Sequence, residues 1–263
     1  MASQIITQRQ HGIASITMDG CGKANTIDVS LCEQLLRALH EIDANETDRV
    51  VILRSAGGIF CAGGDLVQIL NALDAPADEL AILIDSFHQV ILTMRSLPIP
   101  ILASVGGAAA GAGFSLALAC DAVVASSEAR FVAGYPAIGT SSDGGLSYHL
   151  ARRIGSARAI NTLLLKNSLD AQEALQIGLV QHIAEPGFID TDAIALATRL
   201  AALPVCAVRE FKALIGTVSD RGLREHLQLE KEAFLRCAAT EPFRQKIEDF
   251  VGRSSEGKKP MVQ

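Results

Sequence analysis

The chain has 263 residues, 49% of them apolar and 20% charged, with a net charge of −6. That is a globular composition, enough for one large domain or one domain with a smaller appendage around a sizeable core. No basic patch dominates, so charge gives no support to nucleic-acid binding.

"GIASITMDG" (Gly12–Gly20) alternates like a strand. "SLCEQLLRALHEID" (Ser30–Asp43) has apolar residues at helical spacing and a serine start signal. "VVILRSA" (Val50–Ala56) is a short β-rich run, buried if both faces are covered. "IFCAGGDLVQIL" (Ile59–Leu70) passes through small residues into a helix, and Asp78–Leu97 forms a long amphipathic one. Pro100–Val105 is a predicted strand, Gly111–Asp121 a helix and Ala122–Ser126 another strand. After Gly145 the pattern is mainly helical. Asp170–Val180 reads as a capped helix ending at glycine, and the helices of Asp192–Phe250 break around Leu203–Pro204. The tail "SSEGKKPMVQ" reads as frayed. Strands alternating with helices, then a helical end, predict an α/β body with a C-terminal helical region.

Several motifs fail. "GAGFSL" has GxG without the third glycine of a dinucleotide fingerprint. No GxxxxGK[ST] occurs, and Ser115 lacks the second glycine of a nucleophile elbow. The six histidines show no metal-ligand spacing, so no metal is expected. Ser96–Cys120 carries no charge and has GxxxG spacing at Gly107 and Gly111, yet its prolines and glycines suit a buried strand–turn–helix better than a membrane span. Cys21, Cys32, Cys61, Cys120, Cys206 and Cys237 form no CxxC pair, which reads as free thiols in a reducing compartment. "MASQIITQRQ" lacks the apolar stretch of a signal peptide, so a cytoplasmic location is expected.

Two small-residue turns, "CAGGD" (Cys61–Asp65) and "VGGAAAGAGFSLALACD" (Val105–Asp121), each lead into a helix. Small residues leave backbone N–H groups open to a ligand, and a helix N-terminus aims them with a favourable dipole. Two such groups converging would make an oxyanion hole. Close packing of helix on sheet is the other reading, and composition does not choose. A second question lies in "IGTSSDGGLSYHL" (Ile138–Leu150). Taken alone, Asp143 there reads as a turn residue capping the next helix.

With these segments and "AQEALQIGLVQHI" in order, the chain resembles the crotonase superfamily, the enoyl-CoA hydratase/isomerase family, over nearly its whole length. The resemblance implies a spiral of stacked ββα turns over residues 1–195 and a trimerising helical region over 196–263. It implies an enzyme of acyl-CoA metabolism that acts on a thioester without a further cofactor, as a homotrimer or a dimer of trimers. The backbone N–H groups of Gly64 and Ala112 would hold the thioester oxygen as an enolate forms. Ala112 stands where many relatives have glycine; a backbone donor of this kind is typically worth roughly 3–4 kcal/mol in the transition state.

The two glutamates with which hydratases of the family hold a water fall on Ser115 and Tyr135, so both carboxylates are missing. Asp143 instead matches the acid of one group of enoyl-CoA isomerases. A carboxylate held there could take a proton from C2 and return it to C4. The superfamily's 4-chlorobenzoyl-CoA dehalogenase is the rival: an aspartate at this position attacks the ring, with a histidine at the position of His88 assisting. A non-catalytic CoA- or RNA-binding relative is a third possibility. Ala62, Asp65 and Leu66, with Lys23, match CoA-binding positions, and Phe234 and Arg253 match C-terminal positions that meet the adenine and phosphates from a neighbouring subunit. The family's early Arg-Pro is replaced in "GCGKANT", where Lys23 is the nearby cation.

Overall fold

The computed structural model describes residues 3–21, 24–73 and 78–255, except for the side chains of 253–255. Lys23, the Arg253 side chain and most of the terminal tail therefore lie outside the described residues. The chain divides into two units, Met1–Ala201 and Ala202–Gln263.

The first unit opens with β1 (Gln4–Gln10), β2 (Ile13–Asp19), α1 (Val29–Asp43), β3 (Val50–Ser55), β4 (Ile59–Cys61), α2 (Leu66–Leu73) and α3 (Asp78–Ser96). It continues through β5 (Ile101–Val105), β6 (Ala108–Ala110), α4 (Ala112–Ala119), β7 (Ala122–Ser126) and β8 (Arg130–Val132), then a 3-10 turn at Tyr135–Ile138. It closes with α5 (Leu146–Ile154), α6 (Ser156–Ile160), a π-helical turn at Asn161–Lys166, β9 (Ser168–Asp170), α7 (Ala171–Gln176), β10 (His182–Ala184) and α8 (Ile189–Ala201).

Six strands form one sheet in the order β1-β2-β3-β5-β7-β10, and four form another, β4-β6-β8-β9. The pairs β2–β3, β3–β5, β5–β7 and β7–β10 are parallel; β1–β2 is antiparallel. The chain passes from β3 to β4, β5 to β6 and β7 to β8, changing sheet each time, with helices after each pair. This is the expected spiral of ββα turns.

Alternation in the strands assigns each side chain to a layer. Val51 and Leu53 join Ile101, Ala103 and Val123 in the main core beneath α1, α3 and α4, while Val50, Ile52, Leu102 and Val124 meet Ala193 and Ala197 of α8. Covered on both faces, β5 is buried at every position, which is why its sequence reads as an unbroken small-apolar run. The boundary expected at 195/196 falls inside α8, which packs on β3, β5 and β7 and so stays with the sheet.

The local signals explain the helix ends with one correction. Asp28, rather than Ser30, caps α1, its carboxylate accepting from Leu31 N at 2.6 Å. Asp170 and Glu173 form a reciprocal capping box on α7. The region after Gly145 is less helical than expected, since β9 and β10 lie within it.

α4 is buried along its whole length and has no polar face of its own. Its C-terminal carbonyls are met by two arginines. Arg153 donates to Leu118 O and Cys120 O at 2.8 and 2.6 Å, and Arg95 to Ala119 O at 3.3 Å. His149 lies buried in this neighbourhood. Burial, with the charges of Arg153, Arg95 and Arg152 added, lowers its pKa from 6.5 to about 4. An unfolded chain protonates this imidazole near its ordinary pKa, whereas the native chain refuses the proton until about pH 4. Its contribution to stability is therefore complete above about pH 6.5, is lost as pH falls toward 4, and does not change further below. The loss amounts to about 3 kcal/mol. Urea midpoints measured between pH 7 and pH 4 check this: His149→Leu should show a shallower fall than the wild type.

The second unit consists of α9 (Val205–Gly216), a 3-10 turn at Val218–Asp220, α10 (Leu223–Ala238) and α11 (Glu241–Ser255). Arg236 of α10 grips Glu210 of α9 through two bonds of 2.7 and 2.8 Å. Cys206 and Cys237 bring their sulfurs to 3.4 Å, and Phe234 meets Phe243 edge-on with ring centroids 5.7 Å apart. Phe211, Ile215, Leu223, Phe234 and Phe250 remain exposed. No single described helix is long and apolar enough to cross a membrane.

Candidate active site

The "CAGGD" turn runs from the end of β4 into α2. It is fastened by the segment after β2. Ile27 N donates to Gly63 O at 2.7 Å and Asp65 N to Ile27 O at 3.2 Å. Such a bridge points the N–H of the intervening residue, Gly64, to the opposite side. Asn25, buried, reinforces the turn: its side-chain amide nitrogen donates to Met18 O and Phe60 O at 3.3 and 3.2 Å, and its main-chain carbonyl accepts from Ala62 N at 2.8 Å. Sequence reasoning placed no role on Asn25, although it survives inside the altered "GCGKANT" segment and could have been singled out there.

The second turn enters α4, whose first residue is Ala112. The two turns touch. A β-carbon on Gly63 would stand 2.9 Å from Ala110 O and 3.6 Å from Ala112 N. Gly113 packs closer still: a β-carbon there would lie 2.3 Å from the Cys61 carbonyl oxygen, so only glycine fits. Neither Gly64 N–H nor Ala112 N–H takes part in the backbone hydrogen bonds of the described residues. They are thus two neighbouring backbone donors left for something else, the second at the positive end of a buried helix. Cys61 is fully buried beside them, and burial pushes its thiol up to about 12, so it stays protonated and is no nucleophile at neutral pH.

Asp143 is not a cap. The residue preceding α5 is Gly145, which makes no side-chain cap bond. The carboxylate turns elsewhere: its Oδ1 accepts from Gly144 N at 2.6 Å and lies 2.6 Å from His88 Nε2, on α3. The side chain keeps 29% of its surface accessible. The carboxylate therefore has a polar neighbour, the imidazole that α3 brings to it. Gly144 has φ +57° and packs so closely on Phe87 that a β-carbon would come within 2.1 Å of the ring, which fixes the peptide behind the carboxylate.

Ser115 and Tyr135 converge on the same residue from the other side. Ser115 Oγ donates to Asp143 O at 2.7 Å, and Tyr135 Oη to the same oxygen at 3.2 Å; the two hydroxyls lie 3.1 Å apart. Burial pushes the Tyr135 phenol up to about 12, so it keeps its proton. Ser115 is three residues beyond Ala112 on α4, so the first turn of that helix carries both a free donor and a tie to Asp143.

Of the remaining expected residues, Asp65 uses Oδ1 to cap α2, accepting from Val67 N and Gln68 N at 3.0 and 3.1 Å. Leu66 and Ala62 are exposed beside it. Phe234 is exposed in the second unit. Among the described residues no cluster of three histidine, cysteine or acidic side chains could hold a metal ion. Together the described groups supply two backbone donors for a developing oxyanion and one accessible carboxylate.

The family described as enoyl-CoA hydratase/isomerase matches residues 8–258. A trans-2-decenoyl-[acyl-carrier-protein] isomerase from Streptococcus mutans is 27% identical, covering 94% of this chain and 95% of its own. A 1,2-epoxyphenylacetyl-CoA isomerase from Escherichia coli is 28% identical over 97% of this chain and 98% of its own. Among solved structures, an enoyl-CoA hydratase from Polaromonas sp. JS666 superposes with a TM-score of 0.91 at 33% identity, over 95% of this chain and 97% of that one.

Proposed function

Because the chain belongs to the enoyl-CoA hydratase/isomerase family, whose enzymes act on acyl-CoA, we propose that its reaction is the shift of a double bond from the 3- to the 2-position of an enoyl-CoA thioester. The observation that carries this reading is the accessible Asp143 carboxylate, where the two hydratase positions hold only the hydroxyls of Ser115 and Tyr135. The thioester carbonyl oxygen sits on Gly64 N–H and Ala112 N–H, which acidifies the C2 proton. Oδ2 of Asp143, which makes no hydrogen bond among the described residues, takes that proton as the C1–C2 double bond of the dienolate forms beside the existing C3–C4 one, and the C2–C3 double bond follows when C4 is protonated. The same carboxyl then delivers the proton to C4, the electron pair returns from the oxyanion, and product leaves at unchanged mass. The base is regenerated, so the cycle balances with one proton moved and none consumed.

The same two positions oppose hydration. The hydroxyls that replace the glutamates bond to each other and to Asp143 O, so neither is a base that could activate a water. The decisive experiment is a panel of acyl-CoA thioesters followed by mass spectrometry. The reading requires a 3-enoyl-CoA to become the conjugated isomer without mass change; water addition as the main event would overturn it. CoA enters as part of the substrate, held in this reading by Ala62, Asp65, Leu66 and Lys23, with Phe234 and Arg253 supplied by a neighbouring subunit. The protein is further read as a cytoplasmic homotrimer or dimer of trimers. The exposed apolar side chains of α9–α11 support that assembly, which light scattering would measure.

The 2.6 Å contact between His88 and Asp143 also supports a second reading, in which the carboxylate attacks an aryl-CoA ring carbon and His88 assists hydrolysis of the resulting ester. Halide release from 4-chlorobenzoyl-CoA, with a covalent adduct accumulating in His88→Gln, would favour it over isomerisation.

A further inference from the structure

We infer that Ser115 and Tyr135 are positioning residues that hold the Asp143 main chain so that only Oδ2 of its carboxylate faces the substrate; this rests on the reading of Asp143 as the acid/base.

The two side chains arrive from different elements, Ser115 from α4 and Tyr135 from the 3-10 turn after β8, and meet at one carbonyl oxygen. Both residues are buried. Their two protons have four acceptors within reach: Asp143 O, Gly111 O and the oxygen of each other's hydroxyl. The shortest contact, 2.7 Å, assigns the Ser115 proton to Asp143 O, ahead of Gly111 O at 3.3 Å. The Tyr135 proton divides between Asp143 O at 3.2 Å and Ser115 Oγ at 3.1 Å. A buried hydroxyl without a partner is costly, so the pair and the carbonyl hold one another in place.

The carbonyl tie is complemented on the carboxylate side. Gly144 N–H and His88 both occupy Oδ1, and Phe87 blocks movement of the 143–144 peptide. Asp143 is thereby fixed at its main-chain oxygen and at one carboxylate oxygen. A base that must serve both C2 and C4 gains from such fixation, because small misplacements of a reacting group cost rate steeply. Ser115 links this restraint to Ala112 through one turn of helix, so base and oxyanion donor share a support.

The test compares Ser115→Ala, Tyr135→Phe, their double variant and Asp143→Asn, with 3-octenoyl-CoA as the probe. Each single change should lower kcat about tenfold and the double about 30- to 100-fold, with KM within twofold and the melting temperature nearly unchanged. Ser115→Thr and Ser115→Val add the same methyl group, so only the threonine variant should recover activity. An inactive Asp143→Asn beside a double variant within threefold of wild type would overturn the positioning role and leave the reading of Asp143 standing. A loss that tracks KM or melting temperature would reduce the pair to a structural role and overturn it likewise. An active Asp143→Asn would instead remove the reading on which both rest.

Discussion

Asp143→Asn should lower kcat for isomerisation by roughly a thousandfold while leaving the folded state intact, in keeping with the two to four orders of magnitude that a positioned acid/base contributes. Asparagine has the shape of aspartate, and its amide oxygen can still accept from Gly144 N–H, now 2.6 Å from Oδ1. The ties from Ser115 and Tyr135 go to the main-chain oxygen and survive the change. What disappears is the lone pair that takes the proton. Because the oxyanion donors are backbone groups and remain, substrate should bind with little change in KM. Incorporation of solvent deuterium at C2 gives an independent measure: wild type should exchange, and the variant should not. Exchange at the wild-type rate in Asp143→Asn would assign the base elsewhere.

The second large effect concerns a residue that touches no substrate. Gly113→Ala places a methyl group 2.3 Å from the Cys61 carbonyl oxygen and 2.7 Å from its Cβ. No rotamer relieves a clash with backbone, so β4 and the turn behind it must move off α4. Overpacking of this kind costs typically 1–3 kcal/mol, and more when main chain must shift. The same displacement separates Gly64 N–H from Ala112 N–H. Since one oxyanion donor is worth roughly 3–4 kcal/mol, kcat/KM should fall by about two to three orders of magnitude even in the folded fraction. Gly57→Ala is the control, as nothing stands within 4 Å of its β-carbon. A Gly113→Ala protein with wild-type kcat/KM would mean that the spacing of the two turns does not matter.

The spiral was legible mainly through its longer elements. α3 and β5 stand within a residue of their expected bounds because one has a long apolar period and the other is covered on both faces. The second sheet was invisible for a physical reason. β4, β6, β8 and β9 are three residues each, and "AAA" in β6 has no alternation to detect. β1 escaped because an edge strand with one half-buried face carries little apolar signal in "QIITQRQ". In the site, the residues alone left Asp143 a turn aspartate and the two turns open to either reading; the family resemblance pointed to Asp143, Gly64 and Ala112, but not to the contacts that distinguish them. That His88 reaches Asp143 depends on how α3 lies against the 143–144 peptide, and no spacing in the chain encodes it. Nor does it reveal that Ser115 and Tyr135 spend their hydroxyls on a main-chain oxygen.

α4 has a consequence for how the chemistry meets the solvent. Its far carbonyls are held by the guanidinium groups of Arg153 and Arg95, and its near end presents Ala112 N–H to the site. Every residue between is buried, so mobile ions cannot enter the space the helix field crosses. Salt attenuates interactions among exposed charges over about 8–10 Å but leaves buried ones largely untouched. Ionic strength should therefore govern how a charged carrier arrives at the protein and how tightly it docks. The step in which negative charge gathers on the thioester oxygen proceeds against an electrostatic background that the buffer does not set.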